Sequence, residues 1–206
     1  MHCGSESEVP RKKLILASVG GQGGVFLVNL LVKAAILAGL KVGTSEIHGL
    51  SQRGGSVTAS LTFGDNTYGF VDVAQADFMI GLEPLEAQRN LRYLHPDSCA
   101  VIDSKRMIPH SVSSQQARYP DTESFIHYLE THIRQVIYVH EETADIKPIM
   151  RNLYVLGRTT GLEGFPVPVD CLQQAIKQVA RPGQVEASCQ AFEKGASLHI
   201  SKTACA

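Results

Sequence analysis

The chain has 206 residues, 44% hydrophobic and 19% charged, a composition that fits one sizeable α/β domain. A formal charge of −1 leaves no basic field for nucleic acid or an anionic membrane, so any anion site is local. The longest apolar stretch, residues 25–40, is broken by Asn29, Lys33 and Gly39 and falls short of the roughly 20 residues that cross a bilayer.

No secretory leader is read in the polar start "MHCGSESEVPRKK", and a cytoplasmic location is expected. The five cysteines, Cys3, Cys99, Cys171, Cys189 and Cys205, never approach a CxxC spacing. They read as reduced thiols rather than disulfides, zinc ligands or iron–sulfur ligands.

The elements follow from hydrophobic pattern. "KLILASV" (13–19) is a continuous apolar run, as in a strand buried on both faces. "GGQGG" (20–24) turns the chain into an apolar helix over 25–38, stopped by Gly39. "KVGTSE" (41–46) is a second strand, completing a βαβ unit. "SVTASLTF" (56–63) is a strand, and the turn chemistry of "GDNTYG" (64–69) after it suggests a hairpin.

Further strands are expected at 76–82, 98–104 and 135–140, with helices at 83–94 and 122–133. Beyond His140 three helices are expected, over 144–162, 169–180 and 184–198. The expected fold is α/β, three layers around a mostly parallel sheet, with a β-hairpin and a helical C-terminal third. Residues 13–198 are expected to form a single domain, with 1–12 a flexible N-terminal tail and 199–206 a C-terminal tail.

Two loops carry the chemistry. Gly20, Gly21, Gln22, Gly23 and Gly24 stand between a buried strand and a helix, where unpaired N–H groups can cradle an anion or meet a partner's backbone. The dinucleotide fingerprint fits badly, because Phe26 stands where a third glycine belongs, and no Walker Lys-Ser/Thr follows. A tight turn under a close-packed helix is the plain alternative.

The second loop, "SEIHGLSQRGGSV" (45–57), holds Glu46, His48, Gly49, Gln52, Arg53, Gly54 and Gly55. Arg53 on a glycine-flanked loop suits bidentate capture of a carboxylate or phosphate, or else an internal pair with Glu46. His48 is either an acid–base group or a hydrogen-bonded structural residue. Gln22 and Gln52 either orient a ligand or cap loop backbone. Metal binding by Glu46 and His48 lacks a third ligand, and the other seven histidines read as surface or packing residues. If strands 14–19 and 41–46 are neighbours, both loops face each other at the carboxyl edge of the sheet, where ligands bind.

Together, "GGQGG" and "EIHGLSQRGG" resemble the γ-type domain of the 2-oxoacid:ferredoxin oxidoreductases, which include pyruvate, 2-oxoisovalerate and indolepyruvate enzymes. Glu83 and Pro84 match the family's next acidic, proline-opened helix, and "RNLYVLG" and "CQAFEKGASL" resemble its C-terminal helical part. A free-standing polypeptide of this size is most similar to the small (beta) subunit of the indolepyruvate branch.

The resemblance implies a subunit of a complex that oxidatively decarboxylates a 2-oxoacid, usually forming an acyl-CoA and reducing ferredoxin. It also implies thiamine diphosphate and iron–sulfur clusters on a larger partner subunit, with none bound by this chain. Ferredoxin would then be an indirect partner, and the isolated chain a candidate homodimer, inactive alone. Certain catalytic residues are not assigned; His48 and Arg53 are candidates. Rival readings are a stand-alone nucleotide- or flavin-binding protein using "GGQGG" as a phosphate loop, and a regulatory or scaffolding module.

Overall fold

The computed structural model describes residues 10–49 and 54–198, apart from the side chains of residues 48, 110 and 111. Six strands form one sheet: β1 (Lys12–Val19), β2 (Val42–His48), β3 (Ser56–Phe63), β4 (Ala76–Gly81), β5 (Leu94–Asp103) and β6 (Gln135–Val139). Their spatial order is β2-β3-β1-β4-β5-β6. β1, β4, β5 and β6 run parallel, while β3 runs antiparallel to both β1 and β2.

Two expectations are corrected here. The strands around 14–19 and 41–46 are not neighbours, because β3 lies between them. The hairpin is β2–β3, closed by residues 49–55, and does not pass through 64–69. The apolar strand 56–63 takes the position beside β1 because its side chains Ala59, Leu61 and Phe63 are wanted in the main core. Residues 64–75 instead cross the other face of that hairpin, where the Ser60 hydroxyl donates to the Gly69 carbonyl and the Gly69 N–H donates to Thr62 Oγ1.

Alternation along the strands divides the core. Leu14, Leu16, Phe78, Ile80, Cys99 and Val101 face α1 (Gly24–Leu37), α5 (Arg151–Thr159), α6 (Val169–Val179) and α7 (Val185–Ala196). Ile15, Met79, Ala100 and Ile102 face α2 (Pro84–Arg89) and α4 (Thr122–His132). This is a three-layer arrangement around a mixed sheet whose parallel strands are buried on both faces. A short α3 (His110–Ser113) precedes α4. α1 is buried along most of its surface but leaves Val25 and Ile36 exposed. The helix expected from 144 starts only at Arg151, after a 3₁₀ turn at Pro148–Met150 that follows from the proline.

The helical third closes through a backbone contact between α5 and α7. A Cβ on Gly157 would lie 2.2 Å from the Phe192 carbonyl oxygen, and one on Gly195 would lie 2.1 Å from that of Tyr154. Neither carbonyl can yield without moving its helix. Gly195→Ala is expected to destabilise the protein by about 1–3 kcal/mol, as overpacking does. Urea denaturation measures this, and an unchanged midpoint would contradict the close approach.

Candidate functional site

The carboxyl ends of β1, β2, β4, β5 and β6 lie on one edge of the sheet, where ligands bind in such folds. β1 leads to α1 on one face and β4 leads to α2 on the other, so the crevice between them is the natural site. Gln22 closes this crevice. Its Oε1 accepts from the Val19 N–H at 2.8 Å, and its Nε2 donates to the Leu82 carbonyl at 2.9 Å. Of the two roles open for Gln22 in the sequence, backbone capping is what the structure shows.

The two glycine loops do meet, through β3. Ser56 pairs with Val19, and the Gly20 N–H donates to the Gly55 carbonyl at 2.8 Å. The Gly49 N–H donates to the Ser56 carbonyl at 2.8 Å, closing the base of the 49–55 loop. Gly54 sits beside them in a left-handed turn, with φ of 72°.

Gly23, at φ 80°, is the N-cap of α1 and supplies no side-chain cap to the N–H groups of its first turn. A Cβ on Gly23 would lie 2.4 Å from Asn152 Nδ2. Glu46 is exposed on the edge strand β2. Gln52, Arg53 and the His48 side chain lie outside the described residues, so the Arg53–Glu46 pairing is not among the described contacts.

Glu83 is fully buried. Its Oε2 accepts from the Glu86 N–H at 3.0 Å and caps α2, while Oε1 accepts from the Met107 N–H and the Tyr119 hydroxyl. It is therefore an internal anchor of the edge rather than a group presented to solvent.

Sequence reasoning missed the strongest electrostatic feature. Asp103, ending β5, and Arg151, opening α5, are both buried and form a bidentate pair. Arg151 Nε donates to Asp103 Oδ2 at 2.9 Å and Nη2 donates to Oδ1 at 2.7 Å. Nη1 donates to the Glu141 carbonyl at 3.2 Å and to Thr143 Oγ1 at 2.9 Å. The available signal was a carboxylate ending an apolar run in "SCAVIDS", but nothing local points to a partner 48 residues away.

Two clefts flank Gln22, Pro148 and Asn152. One, of about 350 Å³, is lined by Leu82, Asp103, Lys105, Thr143 and Arg151. The other, of about 340 Å³, is lined by Gly21, Gly23, Phe26, Ile149 and Arg181. Among the described residues no group of three or more His, Cys, Asp or Glu side chains could hold a metal ion. Burial pushes the Cys99 and Cys189 thiols above their ordinary range, which disfavours the thiolate a metal requires. No helix among the described residues is long and apolar enough to cross a membrane.

Residues 13–198 match the family model described as pyruvate ferredoxin/flavodoxin oxidoreductase. The chain belongs to this family. Within it, the chain is 31% identical over 194 residues to indolepyruvate oxidoreductase subunit IorB of Archaeoglobus fulgidus, covering 93% of this chain and 96% of that one. It is 33% identical to the IorB subunit of Pyrococcus horikoshii, covering 88% and 93% of the two chains. The fold is also that of the keto/oxoacid ferredoxin oxidoreductase gamma subunit from Geobacter sulfurreducens. The TM-score is 0.63 at 18% identity, over 89% of this chain and 95% of that one.

In this family member the buried pair should be indispensable as a pair. Arg151→Ala is expected to cost about 3–5 kcal/mol, because it strands the Asp103 carboxylate. The double variant Arg151→Met/Asp103→Leu should recover a substantial part of that loss. A double-mutant cycle by chemical denaturation decides it, and strictly additive losses would contradict the coupling.

Proposed function

We propose that this chain is the small, γ-type subunit of an indolepyruvate-type 2-oxoacid:ferredoxin oxidoreductase. The observation that carries the reading is the end-to-end match to two subunits of that name at 31% and 33% identity. The reaction class is oxidative decarboxylation of a 2-oxoacid, with transfer of the acyl group to coenzyme A and of two electrons to ferredoxin. Thiamine diphosphate and the iron–sulfur clusters belong to a larger partner subunit. That assignment draws on the cysteine spacing of the sequence, in which no two thiols approach a CxxC pattern.

The role of this chain is to dock and to close the site. Gly20–Gly24 and the base of the second loop, at Gly49, Gly54 and Gly55, are joined by the Gly20–Gly55 hydrogen bond, beside the start of α1. Arg53, flanked by Gln52, Gly54 and Gly55, supplies a planar cation for a carboxylate or phosphate, from the 2-oxoacid, from coenzyme A or from the partner.

Co-expression with the large subunit tests this. The pair should reduce ferredoxin or a viologen in the presence of indolepyruvate and coenzyme A, whereas this chain alone should be inert. Arg53→Ala should lower that rate at least tenfold while the complex still elutes intact. An undiminished rate removes Arg53 from the site. Recovery of this chain from its native cell without any oxidoreductase partner would overturn the subunit reading.

A further inference from the structure

Residues 104–121 leave the carboxyl end of β5 and return at the start of α4. None of those with described side chains is buried, so this excursion is not held by packing into the core. Its described polar fastenings include the Ser104 N–H donating to the Val139 carbonyl at 2.9 Å and the Lys105–Glu142 ion pair, and two others share one atom. Glu83 Oε1 accepts from the Met107 N–H at 3.2 Å and from the Tyr119 hydroxyl at 2.5 Å. The Tyr119 hydroxyl in turn accepts from the Leu85 N–H at 3.3 Å, and the Arg106 guanidinium stands 5.0 Å from the Tyr119 ring centre. Glu83 itself is fully buried and engaged as the cap of α2.

We infer that Glu83 and Tyr119 form a latch holding residues 104–121 as a separately releasable strap at the carboxyl ends of β4 and β5. A segment with few buried apolar contacts opens at a free energy well below that of global unfolding. What sets its opening is then the latch rather than the core. Burial and the neighbouring carboxylate push the Tyr119 phenol above its ordinary range, so it remains a donor throughout the physiological range.

Release has a defined consequence. Lys105 lines the cleft beside Leu82 and Asp103, between Asp103, to which its N–H donates, and the latched Met107. Opening the strap moves that wall of the cleft. Tyr119 is on this account a positioning residue, acting through Glu83. The inference goes beyond the subunit reading and holds for the isolated chain.

Hydrogen exchange followed by mass spectrometry on the full chain tests it without any partner. In Tyr119→Phe, amides of 105–118 should exchange at least tenfold faster, while peptides from β1, β4 and β5 keep their wild-type rates. Tyr128→Phe, an exposed tyrosine on α4 with no bond to Glu83, should leave 105–118 unchanged. Three results would overturn the latch: unchanged exchange in Tyr119→Phe, equal acceleration across the sheet, or the same acceleration in the control.

Discussion

The edge of this sheet depends on one carboxamide. Where β1 and β4 send their helices to opposite faces, backbone groups are left without ladder partners and a crevice opens. Gln22 spans it, accepting from Val19 and donating to Leu82. Leu82 is also tied by its N–H to the Ala17 carbonyl. The first glycine turn is thereby fixed against two strands at once. Through Gly20 and Gly55 it fixes the base of the second loop as well. Gln22 also lines the clefts on either side of the crevice.

A second polar constraint joins the helical third to the sheet. Five N–H donors of Arg151 are spent on Asp103, Glu141, Thr143 and Val139. A buried pair of this kind adds little net stability over an apolar replacement, but it tolerates only one geometry. It sets α5 at the end of β5, and α5 in turn meets α7 through Gly157 and Gly195. The walls of both clefts, from Asp103 to Asn152, are placed by that chain of contacts.

These constraints explain how a family subunit can be small. The sheet and its helices hold the first glycine turn and the base of the second loop together at one edge. The clefts there are lined by Lys105 and Arg181, while Glu83 and Asp103 are engaged internally.

Much of the fold was legible from local pattern. Strands such as 56–63 and helices such as 122–132 were visible because apolar runs and periodicity are properties of neighbouring residues. The paired motifs at Gly20–Gly24 and Glu46–Gly55 identified the family for the same reason: each is contiguous. Strand order was not visible. Whether β2 or β3 sits beside β1 depends on which side chains the helices of one face can cover, a competition between distant segments. The same holds for the site. Gln22 and Glu83 were recognisable as residues, but their roles as staple and anchor depend on Leu82, Met107 and Tyr119, which only the folded sheet brings within hydrogen-bond reach. The sequence by itself determined the elements, the family and the two loops. The tertiary structure decided the strand order, the Asp103–Arg151 pair and the fastening of the edge, because each requires groups far apart in the chain to satisfy one another away from water.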